Sequence, residues 1–372
     1  MLQVSSTFDS GNGDLVAIDG DEVRLTIRPD AGDKHLQWFH FRVAGAKGRQ
    51  LRWVLTNASR ASYPAGWTDY GACASYDRVH WFRVPTTYEE GELRCEHEVE
   101  GDVVWYAYFA PYDEERHQQL LGWAQEQPGV SLECLGSTLD GRAMDLLSFG
   151  AEDGVPCWII ARQHPGESMA EHLIEGLLQR LLDPSDALAA SLLERARFYV
   201  VPNMNPDGSA RGHLRTNAVG TNLNRAWAEP SMEASPEVFL VRERMDQTGV
   251  RFCLDVHGDE GLPYNFIAGA DGVAALPDAI HRLRDRYEEV LETACPAFQR
   301  VHGYPRAAKG EANLTMATNQ TAQRFGALSM TLEQPFKDDA NHPDPEVGWS
   351  PAKCAALGRA QLDALAAVLD AL

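Results

Sequence analysis

His164 and Glu167 are the first side chains in this chain whose types and spacing suit metal chemistry. They stand in the stretch Ala161-Arg162-Gln163-His164-Pro165-Gly166-Glu167-Ser168. Neutral imidazole together with a carboxylate suits Zn²⁺. Three residues apart, the two converge only if the chain bends between them. Upstream, Cys157-Trp158-Ile159-Ile160-Ala161 is a short apolar run of the kind found in buried parallel strands. Downstream, Met169, Leu173, Leu177 and Leu181 recur at helical spacing, so a helix is expected to begin near Glu167. That context puts His164 at a strand end and Glu167 in a helix's first turn. The competing reading of His164 is a loop histidine bonded to backbone. His97 and Glu100 share the spacing, but their segment reads as a strand, where residues three apart face opposite ways. His97 is therefore expected at the surface.

A catalytic zinc takes a third protein ligand and keeps a position open for water. His257 is the best candidate, because it follows the apolar run 252–256 and open α/β sheets place their sites at strand ends. Between the two histidine positions lie the turn former Asn205-Pro206-Asp207-Gly208 and a polar stretch holding Arg215, Asn222, Asn224 and Arg225. Either this is solvated surface or its arginines and amides hold an anion, since guanidinium can bind a carboxylate bidentately or polarise a carbonyl oxygen. Glu333 closes the run 328–332. In isolation it is a strand-end glutamate; beside a metal it could take a proton from water and deliver it to a leaving amine.

The elements that must position these groups follow from the pattern. Up to about residue 110 the chain reads as strands, at 23–27, 39–43, 79–84 and 103–109, with a tight hairpin expected at 99–103. A small antiparallel sandwich is inferred, with Trp38, Trp53, Trp67, Trp81 and Trp105 serving packing. The boundary is placed at Pro111, giving units 1–111 and 112–372. Beyond it helices alternate with apolar runs at 132–135, 144–149, 157–161, 198–201, 252–256 and 328–332, the pattern of an α/β domain.

Composition limits the function classes. The formal charge of −21 disfavours nucleic acid and anionic membrane surfaces as partners. No apolar stretch approaches the length of a membrane span. Seven scattered cysteines form no Cys-x-x-Cys pair, and with no signal-like start they fit a reducing cytoplasm. No Gly-x-Ser-x-Gly or phosphate-loop pattern supports other hydrolytic chemistry.

Taken in order, His-Pro-Gly-Glu at 164–167, Asn-Pro-Asp-Gly at 205–208, Arg215, Asn-Arg at 224–225, His-Gly at 257–258 and Thr-Leu-Glu at 331–333 resemble the zinc metallocarboxypeptidases. The Leu-Asn-Arg-Ala-Trp and Asp-Val-His-Gly versions, with an N-terminal β unit, are similar to the cytosolic carboxypeptidase branch. The resemblance implies an α/β fold, a mixed sheet flanked by helices after the β-sandwich. It implies one Zn²⁺ per chain on His164, Glu167 and His257, Glu333 as general base and then acid, and Arg215 on the scissile carbonyl. Asn224 and Arg225 would hold the terminal carboxylate of a peptide or protein substrate. Three departures follow. Asn222 stands where the branch usually has an Asp that orients a zinc-binding His. No tyrosine lies between Pro305 and Glu333, where secreted relatives carry a mobile one; Tyr304 and Tyr264 remain unassigned. The region of the specificity pocket offers Lys309 and Arg324, from which a preference for C-terminal glutamate is expected. An amidohydrolase acting on N-acyl amino acids and a non-catalytic peptide-binding protein are the alternatives.

Overall fold

The computed structural model describes all 372 residues. In chain order, β1 (Gln3–Ser5), β2 (Asp14–Asp19), β3 (Glu22–Thr26), β4 (His40–Ala44), β5 (Gln50–Leu55), β6 (Ala72–Ser75), β7 (Phe82–Val84), β8 (Thr86–Glu89), β9 (Glu92–Glu98) and β10 (Val103–Ala107) build two five-stranded sheets. Their orders are β1-β4-β10-β6-β7 and β2-β3-β5-β9-β8. The alternating pattern at 23–27 becomes alternating burial in β3. Between the sheets Phe39, Phe41, Trp53 and Tyr106 pack with ring centroids 5.5 to 6.2 Å apart. One pair, β3 with β5, is parallel; all other pairings here are antiparallel.

Three local expectations are corrected. Residues 99–103 are not a hairpin, because β9 and β10 belong to different sheets and the chain crosses between layers there. The strand expected from Val79 begins only at Phe82, since Asp77 Oδ1 accepts the N–H groups of Val79 and His80 and holds them in a turn. His97 is half-buried, with Nδ1 2.7 Å from the Tyr106 hydroxyl and Nε2 3.2 Å from that of Tyr76.

The second part begins with α1 (Glu114–Gln125), capped by the Asp113 carboxylate, which accepts from Arg116 N. Then come β11 (Ser131–Ser137), β12 (Ala143–Gly150), β13 (Val155–Ala161), α2 (Met169–Leu181), α3 (Ala187–Leu193), β14 (Ala196–Val201), α4 (Pro206–Arg211), α5 (Pro236–Thr248), β15 (Phe252–Val256), β16 (Phe266–Gly269), α6 (Asp278–Ala294), α7 (Ala317–Phe325), β17 (Leu328–Glu333) and α8 (Pro351–Ala366). The sheet runs β11-β12-β14-β13-β15-β17-β16. Its middle, β14-β13-β15-β17, is parallel, and the outer pairings are antiparallel. Continuous apolar runs form these central strands because both faces are covered. Cys157 and Ile159 of β13 join the larger core with α2 and α8, while Trp158 and Ile160 join a second cluster with α5. The turn former at 205–208 caps a short helix instead. Asn205 Oδ1 accepts from Gly208 N, and buried Asp207 accepts from Thr138 Oγ1 at 2.7 Å. No helix is long and apolar enough to cross a membrane.

Candidate active site

The carboxyl ends of three neighbouring parallel strands carry the chemistry. His164 lies three residues past the end of β13, His257 directly follows β15, and Glu333 is the last residue of β17. Ligands of open α/β sheets sit at such ends. The bend after β13 depends on Arg162, a buried residue with φ of 59°, outside the range most side chains adopt. Its guanidinium donates to Pro165 O at 2.9 Å and Tyr112 O at 2.7 Å and pairs with Glu171. The loop is thus fastened to α2, and Glu167 comes back towards His164.

His164, Glu167 and His257 are all buried, and their ligand atoms lie within 4.8 Å of one another. His164 Nδ1 is 2.6 Å from Glu167 Oε1, His257 Nδ1 is 2.8 Å from Oε2, and the two Nδ1 atoms are 3.2 Å apart. On the far side each ring meets an oxygen: His164 Nε2 reaches Asn222 Oδ1 at 3.1 Å, and His257 Nε2 reaches Asp255 Oδ2 at 3.0 Å. These partners put each ring proton on Nε2 and aim both Nδ1 lone pairs at the Glu167 carboxylate. Two lone pairs and a carboxylate crowded together repel one another unless a cation lies among them, so the donor set fits Zn²⁺. Burial and the Arg215 charge push the His164 imidazole down to about 3. Burial opposes ionisation of Glu167, but the two imidazoles outweigh it and hold the carboxyl below its usual range.

Asp255 is itself held, since its Oδ2 accepts from Gln163 Nε2 at 2.7 Å while Gln163 Oε1 accepts from Trp227 Nε1 at 2.7 Å. Asn224 Oδ1 accepts from Ala317 N at 2.9 Å, which turns its amide nitrogen towards His257, 3.4 Å away. Arg225 is exposed and donates to Asn224 O at 2.6 Å. Burial and the neighbouring Arg215 lower its guanidinium, as two cations at one place require. Arg215 is half-buried and faces Glu260, Glu167 and Glu333 electrostatically. Glu333 is 7% exposed, and its Oε2 has no hydrogen-bond partner. Burial, with Glu167, Asp259 and Glu260 nearby, raises its carboxyl well above the usual value. A proton on Glu333 is therefore easily kept.

Tyr304 donates to Asp259 Oδ2 and stands 3.3 Å from Glu333 Oε1, so of the two tyrosines left unassigned in the sequence it is the one beside this carboxylate, while Tyr264 stacks on His302. Arg324 does not. At the end of α7 opposite Asn224 it forms a two-bonded pair with Asp246, at 2.5 and 2.7 Å, which engages the charge that the expected pocket role requires. Lys309 lies in an exposed loop outside the cavity of about 310 Å³ beside Tyr304. That cavity is lined instead by Arg284, Arg300 and Arg306, with Asp271 and Glu288. Asp255 had a visible signal, a lone charge inside the apolar run 252–256. Gln163 had none, because what marks it is contact with Asp255 and Trp227, and Tyr304 had only its place just before residue 305.

Residues 118–262 match the family described as zinc carboxypeptidase, and residues 4–109 match the cytosolic carboxypeptidase N-terminal domain. An uncharacterized protein of Zymomonas mobilis is 50% identical over 100% of this chain and 97% of its own length. The metallo-carboxypeptidase of Pseudomonas aeruginosa, solved in complex with (2-guanidinoethylmercapto)succinic acid, is 44% identical with a TM-score of 0.95, covering 99% of both chains. A cytosolic carboxypeptidase 6 of Caenorhabditis elegans is 26% identical over 74% of this chain and 66% of its own length.

Proposed function

We propose, from the premise that this chain belongs to the zinc carboxypeptidase family, that it removes single residues from the C-terminus of peptides or proteins in the cytoplasm, with the residues gathered at the ends of β13, β15 and β17. The family makes it a zinc-dependent peptide hydrolase. The observation that carries the reading is the convergence of a His-Glu-His donor set with a buried carboxylate oxygen that has no hydrogen-bond partner and an arginine that faces the same carboxylates without an ion pair of its own.

His164, Glu167 and His257 hold the Zn²⁺, which when bound supplies the Lewis acidity that readies water for attack at neutral pH. Glu333 takes the proton of the attacking water, for which its raised proton affinity suits it, and delivers it to the departing amine nitrogen. Arg215 faces the negative charge that develops on the scissile carbonyl oxygen. The amide nitrogen of Asn224 and the exposed guanidinium of Arg225 hold the substrate's terminal carboxylate, which selects chain ends and aligns the last peptide bond. The Tyr304 hydroxyl beside Glu333 borders the place of the terminal residue.

The preference for acidic C-terminal residues is retained on a different basis. Arg300 and Arg306 line the cavity that shares Tyr304, and their nearest carboxylates stand at 3.6 to 4.0 Å, loose enough to be exchanged for a substrate's. Arg284, by contrast, is engaged with Asp271 and Asp285 at 2.6 and 2.9 Å. The test is hydrolysis of peptides differing only in the last residue: glutamate, aspartate, lysine, arginine, leucine and alanine. Preference for glutamate, lost in Arg300→Gln/Arg306→Gln, supports the assignment. Preference for lysine or arginine overturns it while leaving the carboxypeptidase reading intact. Cleavage of N-acyl amino acids alone would overturn both.

A further inference from the structure

Arg215 makes no hydrogen bond through its guanidinium and has no carboxylate within ion-pair distance; it lies instead over the ring of Tyr63, 5.4 Å from guanidinium carbon to ring centroid. Most arginines here are instead fixed by carboxylates or carbonyls, as Arg162 and Arg211 are. A cation that must stabilise an oxyanion needs a fixed position but also an unneutralised charge. A carboxylate partner would give the first and cancel the second.

We propose that Asp30 and Tyr63, both from the N-terminal β unit, are positioning residues that orient Arg215 without neutralising it, and that the unit thereby completes the active site; this rests on the oxyanion role given to Arg215 above. Asp30 is 2% exposed and binds the backbone that carries Arg215. Its Oδ1 accepts from Leu214 N at 2.7 Å, and its Oδ2 from Arg215 N and Thr216 N at 2.8 Å each and Thr216 Oγ1 at 3.0 Å. Three successive N–H groups aimed at one carboxylate form an anion-binding nest, here filled from 184 residues away. Around it the seam is tight. Asn12 Nδ2 donates to Gly212 O at 2.9 Å, Ser10 N to Ala210 O at 3.0 Å, and a Cβ on Gly220 would come 2.4 Å from Ala31 O. The backbone of Arg215 therefore has little freedom.

Tyr63 governs the other end of the side chain. Gln37 holds its main chain from both sides, Oε1 accepting from Tyr63 N at 2.9 Å and Nε2 donating to Tyr63 O at 3.1 Å. The same Nε2 is 3.0 Å from the Tyr108 hydroxyl in the core. The ring face attracts the guanidinium by its quadrupole and leaves the charge and the N–H groups available to substrate.

The test uses the zinc-loaded full chain and a good peptide substrate, measuring kcat, KM, zinc content and thermal melting for Tyr63→Leu, Tyr63→Phe, Asp30→Asn, Arg215→Gln and the double Tyr63→Leu/Arg215→Gln. A misplaced guanidinium should lower kcat by about 10-fold in Tyr63→Leu and Asp30→Asn with KM within about 2-fold, zinc unchanged. Tyr63→Phe keeps the ring and should restore most of the rate. Arg215→Gln should lose roughly 100-fold, and adding Tyr63→Leu to it should cost nothing further. A full additional 10-fold loss in the double variant would overturn the proposal, as would a Tyr63→Phe as slow as Tyr63→Leu. If Arg215→Gln keeps the normal kcat, the oxyanion role itself fails, an outcome distinct from failed positioning. Should Asp30→Asn not fold, the Tyr63 comparison decides.

Discussion

Changing Asp255 to Asn removes one negative charge from the ring of His257 while keeping an oxygen in place, and should weaken zinc binding by roughly 10-fold. In the protein Asp255 Oδ2 lies 3.0 Å from His257 Nε2, and both residues are buried. A hydrogen bond to a charged acceptor contributes about 1.5–3 kcal/mol against about 1 for a neutral one. The difference, about 0.5–2 kcal/mol, corresponds to roughly 2- to 30-fold in affinity. The site contains its own control, because His164 already has an amide partner, Asn222, at 3.1 Å. Asn222→Asp should therefore strengthen zinc binding, by roughly 3- to 10-fold, a smaller change because residue 222 is half-buried and water screens the charge. Competition with a chromophoric chelator at fixed pH measures both. Wild-type affinity in Asp255→Asn, or weaker binding in Asn222→Asp, would refute the reasoning that these partners tune the imidazoles through charge.

Other perturbations separate architecture from chemistry. Arg324→Ala should leave C-terminal preference unchanged in the peptide panel and cost no more than about 1 kcal/mol in a urea melt, because its Asp246 pair is partly exposed. Gly358→Ala should destabilise by about 1–3 kcal/mol, since a Cβ there would stand 2.1 Å from Leu173 O where α8 crosses α2; an unchanged urea midpoint would contradict this contact. His117 is buried between Glu171 and Asp145; burial opposes its charge, but the two carboxylates prevail and lift it to about 10. Its folded value lies above the unfolded one near 6.5, so its contribution is complete below about pH 6.5 and is lost as pH rises towards 10. Urea melts should show stability falling across that window by up to about 1.4 kcal/mol per pH unit, with a flatter profile in His117→Gln.

How far these features could be read in the sequence depends on how local their causes are. The central strands were legible because burial on both faces writes an unbroken apolar run, as in 252–256 and 157–161. β16 was not: Phe266-Ile267-Ala268-Gly269 is four residues long and lies at the sheet's edge. Nor was α7, whose nine residues are mostly polar and whose start is held by Asn224 from another loop. His164, His257 and Glu333 were legible because each sits where an apolar run ends, and Glu167 because a helical pattern begins just after it. Asp30 and Tyr63 were not, because their meaning lies in contacts to Arg215 more than 150 residues on. The hairpin expected at 99–103 failed for a related reason: turn residues show that a chain bends but not into which sheet it goes.

In the proposed reaction Glu333 moves the proton while the His-Glu-His set holds zinc. The most direct test compares wild type with Glu333→Gln, both shown to carry one zinc, by mass spectrometry of a peptide substrate over time. The wild type should shorten the peptide by one residue at a time, and the variant should bind it and cleave it at least about 100-fold more slowly. Equal rates in the two proteins would rule out proton transfer by Glu333.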